Sequence, residues 1–410
     1  MVTEKITTPA RARTAVTVAF SVHGLIGTAW VTRIPQIKEH LGLSEGAMGV
    51  ALLGAPVGVA VAVRFAGMIV ARWGSRATTV AGGIIGALSL IPLGLAWNLG
   101  ALICALAALG AALGLMDVAM NVQGVAVERG YGRPLMSGMH GAYSIGTLVA
   151  ALVGSAAAHL DVPVAVHLSL AAAVLMVVLL LGCRDLLDRS ADTPSEEPRN
   201  LETDPTADAA KTAAGEASDG LSGGSGRSGR WLLAMLGIIG LCSFVGEGAM
   251  ADWSAIYLRE SLGTGPGVAG LGFAGCAVAM TIGRFAGDKV VARFGPVPVL
   301  RTGSVIAALG LGLGLAARDP FVAVIGFTFF GLGIAVVAPV TFSAAGNVPG
   351  VPAASGISRV TSVGYAGLLG GPPIIGFVAQ GVGLGWALAV PVGLVGLIFL
   401  LAPAVATAGR

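Results

Sequence analysis

Charge is what this chain has least of. Asp, Glu, Lys and Arg together make up 11% of its 410 residues, against about a quarter in an ordinary soluble domain. A water-facing surface cannot be covered from so small a supply. Cysteine is scarce as well: Cys104, Cys183, Cys242 and Cys276 form no CxxC pair and no disulfide framework, and are read as small apolar packing residues. The glycine cluster Gly223–Gly226 lacks the Lys-Ser/Thr that completes a phosphate-cradling loop, so no nucleotide-driven motor is encoded. Metal-ligand spacings such as His-Glu-x-x-His and nucleophile motifs are missing too. No enzyme, no cofactor and no bound metal is therefore expected. The net charge of +3 comes with no nucleic-acid motif, and no nucleic-acid partner is expected.

What is present is apolar. Hydrophobic residues are 55% of the chain and mean hydropathy is +0.87. The 64 glycines fit a membrane interior, where helices associate by close backbone approach rather than by the hydrophobic effect. Runs near the roughly 20 residues needed to cross a bilayer fall at 14–34, 46–66, 76–97, 99–125, 137–158 and 163–182. Six more follow at 231–257, 266–286, 297–316, 320–342, 355–379 and 384–405. The reading is an all-α membrane protein of twelve transmembrane helices in two six-helix bundles, 1–182 and 231–410. Between them, 183–230 is rich in Asp, Glu, Pro, Ser, Thr and Gly, and is expected to be a flexible linker. The first run lacks a small-residue cleavage site and is expected to be a retained span.

Basic residues set the orientation. With the N-terminus inside, all of the 24 Lys and Arg except Arg33, Lys38, Arg259 and Arg318 lie in cytoplasmic segments or helix ends. Both termini and the linker are accordingly expected on the cytoplasmic side of the inner membrane.

One passage occurs twice. Arg64-Phe65-Ala66-Gly67, followed by Ala71-Arg72-Trp73-Gly74, returns as Arg284-Phe285-Ala286-Gly287 and Ala292-Arg293-Phe294-Gly295. The preceding stretch repeats at an offset of 221, with glycines at 46/267, 49/270 and 54/275, and Ser137-Gly138 with Ser144-x-Gly146 repeats at 218 as Ser355-Gly356 with Ser362-x-Gly364. Each half holds an even number of spans. The copies therefore share one orientation and are related by an axis along the membrane normal.

These residues carry a resemblance. Gly67-x-x-x-Ala71-Arg72-x-Gly74-x-Arg76 resembles the signature loop of the major facilitator superfamily, and Gly287-Asp288 through Gly295 resembles its second copy. The acidic residue usual four positions after the glycine is Ala71 here, so any charge-based latch is expected to be asymmetric. Trp30-x-x-Arg33-x-Pro35, Asp117-Val118-Ala119-Met120-Asn121, Glu247 through Asp252-Trp253, and Gly364-Tyr365 with Gly371-Pro372-Pro373 are similar to the branch of fucose–proton symporter-like proteins and relatives of the rhizopine-associated membrane protein. The resemblance implies alternating access, gating roles for Gly67, Arg72, Gly74, Arg76, Asp288 and Arg293, and proton coupling at the acidic position that Asp117 occupies.

The residues themselves point to a central path. Gly110, Gly114, Asp117, Asn121 and Gly124 step by three or four along one helix face. A carboxylate inside the bilayer is costly enough to be a functional candidate by default; Asp117 is either a proton carrier or a packing hydrogen-bond partner. Glu247, in step with Ser243, Met250 and Ser254, is the second carboxylate. His140 is either a proton relay or a buried neutral ring. His23, Asn121, Tyr143, Arg359, Ser362 and Tyr365 are the expected solute-binding set, with Arg359 alternatively snorkelling to the cytoplasmic surface. Asp252 and Trp253, nearer the outer boundary, are expected to gate or to anchor.

The expected function is secondary active transport of a small polar, sugar- or polyol-like solute, coupled to protons and favouring uptake. Drug or metabolite efflux by proton antiport and a non-transporting sensor are the alternatives. The expected partners are the solute, protons and the lipid bilayer, with the chain acting as a monomer.

Overall fold

A computed structural model describes residues 9–43, 45–192, 222–264 and 266–408. Among the described residues there is no strand; the chain is a succession of helices. The first half holds α1 (Pro9–Thr28), the short α2 (Ile34–His40) and α3 (Glu45–Leu52), then α4 (Gly54–Trp73), α5 (Ser75–Gly94), α6 (Leu99–Tyr131), α7 (Met136–His159) and α8 (Val164–Gly182). The second holds α9 (Ser222–Ile256), α10 (Pro266–Phe294), α11 (Pro296–Ala317), α12 (Pro320–Ile334), α13 (Val337–Gly346), α14 (Ala353–Val382), α15 (Leu384–Ala387) and α16 (Ala389–Leu401). Eleven helical stretches among the described residues are long and apolar enough to span a membrane. The remaining crossing of the twelve belongs to α10, whose 29 residues reach about 43 Å.

Helix ends follow local chemistry. Asn98 accepts from the Ala101 N–H at 2.8 Å and starts α6. Asp319 accepts from Phe321 and Val322 N–H at 2.9 and 3.0 Å and starts α12, with Pro320 in the first turn where its missing N–H costs nothing. The turn between α4 and α5 passes through Gly74 at φ 85°, ψ 155°, and that between α10 and α11 through Gly295 at φ 82°, ψ 157°. Such backbone is essentially closed to residues with a Cβ. The repeated sequence thus encodes a repeated turn.

Packing repeats in the same way. A Cβ on Gly110 would lie 1.9 Å from Ala55 O, and one on Gly331 would lie 2.3 Å from Cys276 O. Both pairs are related by the offset of 221 found in the sequence, so each half crosses the same two helices, backbone against backbone. The neighbour pairs α4/α6, α5/α6, α1/α7 and α5/α8 recur as α10/α12, α11/α12, α9/α14 and α11/α16. Between the halves, α4 meets α14 and α10 meets α7, two contacts exchanged by the same internal symmetry. All four cysteines are free, Cys104 exposed and the others buried.

Both ends of the described chain lie on one face, called here the terminal face. The Arg13 guanidinium sits 6.0 Å from the Tyr131 ring, Thr407 donates to Ala344 O at 3.2 Å, and a Cβ on Gly229 would lie 3.7 Å from Val351 and 3.8 Å from Val348.

Both ends of the stretch 183–230 are structured. Residues after α8 fold back onto the first half: Gln123 donates to Leu187 O and accepts from Leu187 N–H, each at 2.9 Å, and Arg76 pairs with Asp188 at 2.6 Å. Asp192 accepts from the Ser75 N–H at 2.8 Å and from its hydroxyl, closing the first turn of α5. Burial pushes the Asp192 carboxyl above its usual range, against the pull of those Ser75 bonds. Residues 222–230 belong to α9, and 193–221 lie outside the described residues. The polar residues of 183–192 look like linker in composition but serve as partners for the polar ends of α4, α5 and α6.

Candidate functional site

Between the halves lies a cavity of about 240 Å³, the volume of about eight waters. Phe20 and His23 of α1, Asp117 and Met120 of α6, and His140 and Tyr143 of α7 line one side. Phe244 and Glu247 of α9, Arg284 of α10, Ala338 and Phe342 of α13, and Tyr365 and Leu368 of α14 line the other. Each pair on one helix is three or four residues apart, so a single helix face supplies both.

Asp117 is 7% exposed. One turn on, the Asn121 amide donates to the Asp117 carboxylate at 3.2 Å and to its backbone carbonyl at 2.8 Å. That leaves the Asn121 carbonyl oxygen as acceptor for His140 Nε2 at 3.3 Å, so Nε2 carries the proton. His140 is stacked on Phe342 at 5.7 Å and tilted against Phe20 at 5.0 Å. An imidazole, an amide and a carboxylate thus form one hydrogen-bonded chain between α7 and α6, with every donor pointing toward Asp117. His23 lies 5.5 Å from the Tyr143 ring and holds Leu113 O at 3.2 Å, so its Nε2 is the donor.

Glu247 belongs to a second cluster. Its carboxylate accepts from Ser243 Oγ at 3.4 Å and from Arg284 at 3.4 Å. Arg284 also donates to Ser144 Oγ across the interface at 2.8 Å. Two helices of the second half and one of the first are joined through a single guanidinium.

Arg284 was not among the expected site residues. It stood in the repeated passage and was placed at a cytoplasmic helix end. It precedes Phe294 by ten residues of continuous helix, about 15 Å of rise, and that places it deep in the bundle. The available signal was this distance from the turn glycine, not the motif.

The expected solute-binding residues divide. His23, Tyr143 and Tyr365 line the cavity, and Tyr365 packs on Phe244 at 5.6 Å. Asn121 is fully buried behind the wall and acts through Asp117 and His140. Arg359 does not face the cavity: it is exposed. Six residues separate it from Tyr365, about 240° around a helix of 3.6 residues per turn, and so it points away. Ser362 turns its hydroxyl back onto Ser358 O at 2.8 Å.

The expected gating residues also separate. Gly67 lets α4 approach α14, where a Cβ would come within 3.2 Å of Ala354 O and of Ser358 Cβ. Ser358 donates to Val63 O at 2.8 Å beside it. Asp288 accepts from the Ser137 and Gly138 N–H groups at 2.8 Å each, so a carboxylate of the second half caps α7 of the first. Gly74 and Arg76 secure the α4/α5 turn and the segment after α8. Arg72 and Arg293 are exposed, the latter 5.4 Å from the Phe294 ring. Asp252 is exposed, and Trp253 packs on Gly376 within its own half. Arg33, near the opposite face, donates to Val162 O at 2.6 Å.

Three further residues fasten the terminal face. Glu128 accepts from Leu135 and Met136 N–H at 2.8 and 3.1 Å and from the Ser343 hydroxyl across the interface. With Asp288, it covers four successive amides at the start of α7. Arg129 donates to Asn347 Oδ1 at 2.7 Å and to Gly346 O. Arg129 and Asn347 differ by 218 positions, the offset of the repeat, so equivalent residues meet at the axis. Glu128 continues the helix face of Asp117, Asn121 and Gly124 by one more step of four; the expected span had stopped at 125.

Two inverted-in-sequence but equivalent interfaces, α4/α14 and α10/α7, around a polar cavity are the arrangement of a two-bundle carrier. Residues 15–246 match the sequence profile described as Major Facilitator Superfamily. The chain belongs to the major facilitator superfamily. It is 35% identical over 362 residues, 88% of this chain and 87% of the relative, to an uncharacterized MFS-type transporter of Yersinia pestis. It is 29% identical to membrane protein MosC of Rhizobium meliloti over 379 residues, 92% and 85% of the two chains. Among solved structures it resembles the fucose transporter FucP in the outward conformation, with TM-score 0.72, 18% identity and coverage of 95% and 97%. The proton:xylose symporter XylE gives TM-score 0.76, 14% identity and coverage of 98% and 97%. As a member of this superfamily, the protein is a multi-pass membrane transporter of small solutes and not an enzyme.

Proposed function

We propose that this protein is a proton-coupled importer of a small polar, hydroxylated solute, working by alternating access around the cavity between its halves. The observation that carries this reading is the placement of two carboxylates, Asp117 and Glu247, on opposite walls of one aromatic-lined cavity. Intramembrane carboxylates at such a site mark ion or substrate pathways. Asp117 can take up and release a proton on its cavity side, held in place by the Asn121 amide and, behind it, by His140; Glu247 can exchange a proton against its bond to Arg284. Tyr143, Tyr365 and His23 supply donors and acceptors for hydroxyl groups.

Fastening of the terminal face by Asp288, Glu128 and Arg129 supports a state in which solute enters from the other side. The terminal face is then the cytoplasmic one, as the distribution of Lys and Arg also argues. Residues 1–182 and 231–410 form the rocking units, and the chain acts as a monomer.

The test is transport by purified protein in liposomes with an imposed pH gradient, over a panel of sugars, polyols and sugar acids. Solute-dependent proton entry together with solute accumulation is expected. Full gradient-driven accumulation by both Asp117→Asn and Glu247→Gln would overturn the proton assignment.

A further inference from the structure

Arg284 and Glu247 lie side by side in the cavity wall, N to O 3.4 Å, with side chains 8% and 24% exposed. Their other partners, Ser144 and Ser243, are neutral hydroxyls. The titratable groups facing them are His23, Asp117, His140 and Tyr143 from the first half and Tyr365 and Cys276 from the second. Asp117 is the other carboxylate among these, and it is held on the Asn121 amide of its own helix. The pair is therefore each member's own counter-charge.

A proton arriving on Glu247 removes the negative half. The guanidinium, its side chain 8% exposed, is then left with one serine hydroxyl, a costly condition for a buried charge. The hydroxyls of a neutral solute cannot restore the balance. A carboxylate can, because the planar fork of arginine donors matches its two oxygens.

We propose that the solute carried here is a hydroxylated monocarboxylate, whose carboxylate replaces that of Glu247 beside Arg284 when Glu247 takes up its proton. This rests on the proton-coupled reading above and adds the charge of the solute to it. One proton and one anion then cross together, and the cycle moves no net charge. The cavity of about 240 Å³, the volume of about eight waters, is on the scale of such a small acid.

The experiment uses the full chain in liposomes with four probes: D-gluconate, D-glucuronate, D-glucose and D-glucitol. An acid-outside gradient is expected to drive uptake of at least one acid, with its neutral counterpart at least tenfold lower. A potassium–valinomycin potential of 100 mV, negative inside, is expected to change acid accumulation less than twofold. A neutral solute moving with one proton would instead gain about 50-fold, since each 59 mV is a factor of ten for one charge. Arg284→Gln is expected to lower acid uptake about 100-fold and Arg284→Lys to retain more of it, both variants being monodisperse on size exclusion. Potential-driven uptake of a neutral probe without the acids overturns the proposal and leaves proton coupling standing. Acid uptake undiminished in Arg284→Gln overturns it, as does failure to take up either acid. Uptake that ignores the pH gradient sinks proton coupling instead.

Discussion

The two copies of Arg-Phe-Ala-Gly occupy equivalent places and do different work. In the first, Arg64 and Met68 are exposed, and Gly67 lets α4 lie against α14. In the second, Gly287 lets α10 lie against α7 in the matching way, a Cβ there falling 2.9 Å from Ser137 Cβ. Arg284, however, is 7% exposed and bonds Glu247 and Ser144, and Asp288 caps α7. What the copies share, glycine contacts and glycine turns, builds the scaffold. Where they differ, charge has been placed at the cavity and at the seam.

The largest test of that contrast exchanges the arginines. Arg284→Gln leaves Glu247 without its counter-charge and is expected to lower gradient-driven uptake about 100-fold, equivalent to roughly 2.7 kcal/mol. Arg64→Gln is expected to stay within about threefold, because an exposed charge contributes about 1 kcal/mol at most. Equal losses in initial rate for the two variants would break the comparison.

Next come the carboxylates. Asp117→Asn and Glu247→Gln are each expected to abolish uphill uptake, while exchange of labelled for unlabelled solute persists in at least one of them. Proton influx recorded with an internal pH dye separates the two activities.

A smaller effect is expected at the seam. Asp288→Ala removes a helix cap worth about 1 kcal/mol, shifting the balance of states about fivefold toward an open terminal face. Met68→Asp supplies the carboxylate that the first copy lacks, opposite the start of α14, and is expected to shift the balance the other way. Spin-label distances between the terminal ends of α4 and α10 read both; a shift of the same sign in each would defeat the argument.

The smallest expected effect is steric. Gly287→Ala meets Val336 Cγ1 at 2.5 Å and Gly67→Ala meets Ala354 O at 3.2 Å. The first is expected to cost about 1–2 kcal/mol as overpacking and the second less than about 1 kcal/mol, measured as the order of their melting temperatures.

Much of the fold was legible because membrane solvation acts on each segment alone. A run of apolar residues must cross, a glycine at φ near 85° must turn, and a repeated sequence must repeat both. Asp117 and Glu247 were legible for the same reason, since a carboxylate in such a run has to face protein or water. Arg359 and Arg284 show the limit. Both are arginines near the terminal side of a span, and composition treats them alike, yet helix phase sends one outward and chain depth brings the other to the cavity. Glu128 was missed because its span ends one turn later than hydropathy suggested, and the segment 183–192 because its polar residues are partners for the first half.

By itself, then, the sequence determined how many times the chain crosses, that one unit was doubled, and which intramembrane charges needed a purpose. Only the tertiary structure decided which of them meet. Ser144 and Arg284 are 140 positions apart and in different halves. Their contact depends on how the two bundles lie against each other, and local hydropathy, period and propensity carry no information about that.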